Sequence, residues 1–484
     1  MKLPTEWHNL SGRQRTICLV ASACVFVLVV LLRIRAAMND LWLDEIWSLK
    51  LVRNLRSPLE IFTKIHFANN HYLNSLFIYF FGQWGNWPWY RAPAVIAGSA
   101  AVFLAWLIGF RRNFSTAFIS LLLIGSSYVM ILYSSEARGY GPLVFFCFLC
   151  FYFLERYLQQ LRWQSAVFFS VSAILGFTAH LQFMTFFIAS LIWVGVEAKR
   201  SRHRISSFGK TIALCYAAPS IYFIALYLVD LRYLQIGGGT STSLPNAYVA
   251  SLAWALGAPA SPGFQAMGCT IAVIGLLAAL WLFWHREPQL SAFFLAVIAI
   301  VPISIVALGQ FDLLYVRFFI VGIAFLLLAI GIVLGSIACR GTWGKFGCAV
   351  FLCAYLVTNG LHVATLFRYG RGQTGQAIQF MANRSTQQRI ITFGGGPERI
   401  PFVLQFYWNE TSPDRASEYY EQGLWPIDGL DWVIRDKESF EPPVPPSRTL
   451  TDSYGNSYDL ARVFPAAPLS GLHWFVYQNR ARAE

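Results

Sequence analysis

Eleven apolar runs follow one another through the first three quarters of this 484-residue chain. Each is near or above the roughly 20 residues that an α-helix needs to cross a bilayer. They lie at 16–36, 91–110, 115–134, 140–158, 164–180, 182–197, 211–229, 266–284, 290–308, 315–338 and 346–366. No single soluble core buries that many long apolar segments, and in lipid only helices or closed barrels satisfy their own backbone. The expected fold is therefore an all-α polytopic membrane protein over residues 1–366, with a small soluble α/β domain over 367–484. Composition agrees: 56% of the residues are hydrophobic and 13% charged, against about 25% charged in an ordinary soluble domain. All nine cysteines precede residue 354, inside or beside apolar runs, which predicts small core residues rather than a disulfide framework.

The net charge of +13 is unevenly spread. Residues 1–366 hold 25 Lys and Arg against 11 Asp and Glu, whereas residues 367–484 hold 12 against 13. A basic excess confined to the membrane part reads as topology, because cytoplasmic loops collect Lys and Arg; nucleic-acid binding would instead need one basic soluble face. Lys2, Arg13 and Arg15 precede the first run, which lacks a small-residue cleavage site, so it reads as an uncleaved helix with a cytoplasmic N-terminus. Counting crossings from there puts Arg111, Arg112, Arg156, Arg162, Lys199, Arg200, Arg202, Arg204, His285, Arg286, Arg340 and Lys345 on the cytoplasmic side. The expected location is the plasma membrane, a bacterial inner membrane, with the C-terminal domain outside.

That parity holds only if the run Tyr72–Phe81 does not cross. It has ten residues, too few to span, and is flanked by His71 and by Trp84, Trp87 and Trp89, so an interfacial or re-entrant helix is expected. In the C-terminal part, "RIITFGG", "LDWVIRD", "LARVFP" and "HWFVYQN" read as strands, "ERIPFVLQFYW" as a helix and "EPPVPP" (Glu441–Pro446) as a loop. The sequons at Asn113, Asn383 and Asn409 are of a kind that arises by chance.

Seven carboxylates fall on the outer side in this topology: Asp40, Asp44, Glu45, Glu60, Glu136, Asp230 and Asp312. Ionisable groups at a membrane are costly and point to function. "NDLWLDEIW" sets Asp44 and Glu45 just after the first span, and the plain alternative is a solvated acidic pair. "YSSEARGY" offers Glu136 and Arg138, which a turn would aim at one site, the alternative being a local ion pair. "NNHYLNSLF" opens the short helix with Asn69, Asn70 and His71, and "YVRFF" places Arg317 near an outer span end, where it would otherwise snorkel to headgroups. Carboxylates with Arg and His at one level suit a reaction on a lipid phosphate, with a carboxylate as base and the cations holding the phosphate.

The order of these motifs, with "RAPAVIAGSAAVFLAWLIG" (Arg91–Gly109) and "TAHLQF", resembles the GT-C glycosyltransferases. The nearest group is the bacterial relatives of the family 39 protein O-mannosyltransferases and of the aminoarabinose transferase of lipid A. The resemblance covers residues 16 to about 366. It implies that Asp44 is the general base, that the second outer-loop acid is Glu136, and that a polyprenyl-phosphate-linked sugar is the donor, transferred with inversion. The family's His-Pro at the short helix is His71-Tyr72 here, and the β-trefoil of the eukaryotic mannosyltransferases is absent.

The expected activity is transfer of a hexosyl or pentosyl unit to a lipid, glycan or protein acceptor. Asp44, Glu45 and Glu136 form the catalytic set, and Arg138, Arg317 and His71 hold the donor phosphate. No nucleotide or redox cofactor is required, because the phosphate is already a good leaving group; a divalent cation between Asp44 and Glu136 stays open. The loop Asp230–Asn246, with Gly237, Gly238 and Gly239, reads either as a lid or as a plain connector. A lipid or solute transporter is the alternative class, although its midplane polar sites and repeated halves are not found in the sequence.

Overall fold

The structure is a computed structural model that describes residues 11–482, apart from 83–86, 201–204, 238–241, 259–260, 286, 310–313, 386–389 and 397–398. Lys2, Trp84, Arg202, Arg204, Gly238, Gly239, Arg286 and Asp312 lie outside the described residues. The chain divides into two compact units, Met1–Ala37 with Leu51–Leu361, and Met38–Lys50 with His362–Glu484.

The first unit is helical, and helices occupy the expected apolar runs. Eight helices, counted over the described residues of the whole chain, are long and apolar enough to cross a membrane. The difference from eleven has local causes. Trp163–Ala179 has 17 residues, Phe183–Arg200 ends in Glu197, Lys199 and Arg200, and the third run is broken in two. Prolines near the starts of Ala92–Phe110, Pro262–Trp284 and Pro288–Leu295 suit positions whose N–H has no partner within the helix. Pro219 and Pro302 act otherwise. Each displaces the carbonyl four residues earlier, and each is preceded by a widened π-turn, Ile212–Tyr216 or Ala296–Ile300.

The break in the third run separates Phe114–Ser126 from Tyr128–Tyr133, with Ser127 extended between them. Backbone groups freed at membrane depth need buried partners. Arg33 donates to Ile124 O at 3.3 Å and Gly125 O at 3.0 Å, while Leu123 O, which keeps its bond from Ser127 N–H, also accepts from Tyr355 Oη at 2.7 Å. Tyr128 N–H donates to Asn359 Oδ1 at 2.8 Å. Arg33 is thus a fully buried cation inside the first span, used to close a helix end.

Small residues let the Ile320–Ala338 helix run close to Phe114–Ser126. A Cβ on Gly335 would stand 2.1 Å from Thr116 Oγ1 and 2.6 Å from its Cα. Around it Phe148, Phe151, Phe186 and Phe293 pack on Phe325 at ring distances of 5.2 to 5.7 Å. Cys147, Cys150, Cys215 and Cys348 are buried as expected, while Cys24 and Cys353 sit on exposed helix faces. Asn113 caps its helix by accepting from Thr116 N–H at 2.6 Å.

The second unit holds a six-stranded mixed sheet of β1 (Ile391–Gly394), β2 (Ser417–Tyr420), β3 (Trp432–Glu438), β4 (Thr449–Thr451), β5 (Ser457–Phe464) and β6 (Leu472–Asn479), in the order β2-β1-β3-β6-β5-β4. β1 runs parallel to β2 and β3, and the other pairs are antiparallel. Helices Thr374–Arg384 and Arg399–Thr411 attach to it through Trp474 Nε1–H to Thr374 Oγ1 at 3.0 Å and Phe393 stacked on Trp408 at 5.0 Å. Strands β2 and β4 and the first of these helices go beyond the elements read from sequence; Glu441–Pro446 is a loop, as expected.

Candidate functional site

In the first unit, the chain after Tyr133 leaves its helix and turns through Ser134–Gly139 before the helix Tyr140–Gln160 begins. That turn carries Glu136 and Arg138, both nearly fully buried, with Arg138 Nη1 4.0 Å from Glu136 Oε2. The turn does what residues two apart on a helix cannot do, in that it brings both groups to one place. Arg138 Nη2 donates to Asn69 Oδ1 at 2.9 Å, and its guanidinium lies over the Tyr140 ring at 4.9 Å. The turn is tied to the short helix Tyr72–Phe81 by Asn74 Nδ2–H donating to Ala137 O at 2.7 Å. Gly139 permits the contact: a Cβ there would meet Ala179 O at 2.0 Å and His71 Cβ at 3.2 Å.

His71 stands at the N-cap of that ten-residue helix, about 15 Å long at 1.5 Å per residue, which is too short to span. Its ring stacks on His180 at 4.5 Å, and both pack on Tyr140, at 5.7 and 4.7 Å. His180 comes from the break between Trp163–Ala179 and Phe183–Arg200. The "TAHLQF" segment is visible in the sequence, but its histidine gains a role only through this stacking. Gln182 N–H donates to His180 Nδ1 at 3.0 Å. Nδ1 is therefore an acceptor, and the proton of the neutral ring sits on Nε2. The Nε2 atoms of His71 and His180 are buried and meet no hydrogen-bond partner among the described residues.

Burial pushes the His180 pKa down to about 3, with the Arg138 and Arg317 charges acting in the same direction. His71 is held well below the usual imidazole range by burial, then by His180, Arg138 and Arg317. Both rings are thus neutral near pH 7, with the two guanidiniums close enough to act on them. Arg317, on the short 3₁₀ turn Val316–Phe319 over the Tyr315 ring at 4.5 Å, belongs electrostatically to the same cluster. The first unit therefore gathers four of the six expected site residues: His71, Glu136, Arg138 and Arg317.

The other two, Asp44 and Glu45, belong to the second unit, in the first turn of the helix Leu43–Arg53. Glu45 is fully buried and its Oε2 accepts from Trp42 N–H at 2.9 Å, a capping box in which the third helical residue reaches back to the N-cap. Asp44 is half-buried one residue earlier, where a carboxylate is favoured by the helix dipole. The preceding segment is anchored by Asp40 Oδ2 accepting from Gly375 N–H at 2.9 Å and by Tyr407 Oη donating to Leu41 O at 2.6 Å. Trp47 packs edge-on against Phe402 at 5.4 Å.

Other acids expected on the outer side have structural duties. Glu60 accepts from Arg56 N–H at 2.8 Å and from Lys64 Nζ at 2.7 Å. Asp230 is fully buried, bonded to Tyr72 Oη and to His66 Nδ1, the latter at 2.5 Å. The start of the 230–246 loop is also pinned: Gln235 N–H donates to His66 O at 2.7 Å, and Ala68 N–H donates to Gln235 O at 2.9 Å. Among the described residues no three His, Cys, Asp or Glu side chains gather in a way that would hold a metal ion.

No family model matches the sequence, and no curated protein sequence matches it. Among solved structures, the crystal structure of ArnT from Cupriavidus metallidurans bound to undecaprenyl phosphate superposes with a TM-score of 0.51 at 10% identity, over 96% of this chain and 98% of that one. The apo-state structure of the same protein gives 0.38 at 12% identity over the same shares. At such identity the undecaprenyl phosphate complex shows the fold: the chain has the GT-C architecture that its motif order resembles, and it is a membrane protein.

Proposed function

We propose that the chain is a membrane glycosyltransferase that moves a sugar from a polyprenyl-phosphate-linked donor to an envelope acceptor, whether lipid, glycan or protein. The observation that carries this reading is the cluster of Arg138, Arg317 and two neutral histidines whose Nε2 atoms are buried, in the fold of a protein whose crystal structure holds undecaprenyl phosphate.

The reaction is a single displacement. Asp44 takes the proton of an acceptor hydroxyl as its oxygen bonds to the anomeric carbon; the bond from that carbon to the phosphate oxygen breaks, and the electron pair leaves with the polyprenyl phosphate. The configuration inverts. Arg138 and Arg317 offer charge-assisted hydrogen bonds to the departing phosphate, and His71 and His180 add neutral donors that demand no counter-charge. Glu45 fixes the start of the helix that carries Asp44, while Glu136 positions the acceptor. The reading needs no nucleotide or redox cofactor. A divalent cation is the one optional addition, and transfer that persists in EDTA would remove it.

The direct test is a titration of the purified protein in phosphatidylcholine vesicles with undecaprenyl phosphate. The wild type should bind, and Arg138→Gln with Arg317→Gln should weaken binding by about tenfold or more, since contacts to charged groups contribute about 1.5–3 kcal/mol each. Equal binding by both proteins would contradict the assignment. Movement of an intact sugar lipid across the vesicle wall without covalent change would favour a transporter.

A further inference from the structure

The far end of the Tyr140–Gln160 helix opens onto a second charged cavity, of about 280 Å³. At 1.5 Å per residue it stands about 25–30 Å from the Arg138 turn, at the opposite end of the same helix. Arg111, Arg112, Glu155, Arg156, Gln159 and Arg162 line it, with Glu287 at its border. Four arginines face two glutamates there, a surplus of two positive charges.

The cavity is organised from within. Glu155 is buried, and its two oxygens take Arg111 Nε at 2.9 Å and Arg112 Nη2 at 3.0 Å. Arg111 Nη2 donates further to Gln159 Oε1 at 2.6 Å, and its guanidinium lies 5.5 Å from the Tyr152 ring centre. These bonds hold two guanidiniums in place without consuming all their N–H groups. The side chains of Arg156 and Arg162 have no hydrogen-bond or ion-pair partner among the described residues. Arg162 reaches the cavity because Leu161 ends the helix in the left-handed region, at φ 53°, a conformation a branched aliphatic residue rarely adopts. The strained turn folds the chain back at that point.

The level of the cavity identifies its occupant. Trp163 follows Arg162, and Trp284 ends the helix just before Glu287; both indoles are exposed, as residues of an aromatic belt at a membrane interface are. A basic pocket between spans at headgroup depth matches a lipid phosphate, with bidentate guanidiniums suited to its oxygens.

We propose that this cavity binds the phosphodiester headgroup of an anionic membrane phospholipid. The proposal is independent of the transfer reaction. The test uses the full-length protein in phosphatidylcholine nanodiscs with added phosphatidylglycerol, with native mass spectrometry counting the retained lipid and thermal unfolding as a second readout. Arg156→Gln with Arg162→Gln removes two charges that hold no other group, so the fold should persist. The preference for phosphatidylglycerol should fall on the order of thirtyfold, taking about fivefold per charge near the surface. Arg340→Gln with Lys345→Gln, exposed past the Ile320–Ala338 helix, should leave the preference intact.

Equal retention by wild type and the Arg156/Arg162 variant would overturn the site. An equal loss in the Arg340/Lys345 variant would overturn it too, by assigning the effect to general surface charge. Inorganic phosphate raising the unfolding temperature as much as phosphatidylglycerol would assign the anion site to a free phosphate and overturn the lipid.

Discussion

The Tyr140–Gln160 helix ends in two arginine–carboxylate clusters of opposite construction. At its C-terminal end Glu155 is clasped by two guanidiniums at 2.9 and 3.0 Å, an arrangement that satisfies the carboxylate locally and leaves the positive surplus to the cavity. At its N-terminal end Glu136 and Arg138 stand at 4.0 Å although both are buried, and Arg138 donates to a neutral amide beside two histidines that burial keeps uncharged. A closed pair of this kind stabilises a helix junction. A cationic group set among neutral donors is poised for an anion that arrives from outside.

This contrast makes separable predictions. The largest effect is expected at the open cluster, where Arg138→Gln should slow sugar transfer about 10²- to 10³-fold, as removal of one oxyanion stabiliser typically does, with a small change in melting temperature. Rate measurements on a purified product and a thermal melt would separate the two; a large fall in melting temperature with the rate preserved would reverse the comparison.

At the closed cluster the order should invert. Glu155→Ala strands two partly buried guanidiniums and should cost about 2–3 kcal/mol, less than the 3–5 kcal/mol of a fully buried pair because Arg111 and Arg112 keep 13% and 17% exposure. Transfer should stay within about twofold at a temperature where the variant is folded.

The smallest effect is on pH dependence. A histidine held at about 3 when folded but near 6.5 when unfolded binds its proton only on unfolding. Stability is therefore present above about 6.5 and is lost as pH falls toward 3. His180 should contribute a loss of about 1.4 kcal/mol by pH 5.5, and His71 acts in the same direction. Melts of wild type and His180→Gln between pH 7.5 and 5.5 should show a shallower slope in the variant.

What was legible in the sequence follows the range of the forces involved. Apolar runs report helices directly, and Tyr72–Phe81 was readable as a short helix from its length alone. The break at Ser127 was not, because its freed carbonyls are answered by Arg33, nearly a hundred positions earlier, and its freed Tyr128 N–H by Asn359, more than two hundred later. Arg33 itself looks like a basic residue near the end of the first span. Strands β2 and β4 have four and three residues, too few for an alternation to register. Of the candidate site, the Glu136–Arg138 turn was legible from "SSEARGY", whereas His180 needed the stacking partner that folding brings to it. The duty of Glu45 as a cap was hidden because its N-cap is Trp42 rather than a serine or threonine.

Asp44 is proposed as the base of sugar transfer to an envelope molecule. Mass spectrometry of lipids, glycans and proteins from cells expressing wild type, Asp44→Asn or no protein, at matched levels, tests it most directly. One defined molecule should lose the mass of a single sugar both without the protein and with Asp44→Asn. The same molecule carrying its full sugar in Asp44→Asn cells, while cells lacking the protein lose it, would contradict the claim.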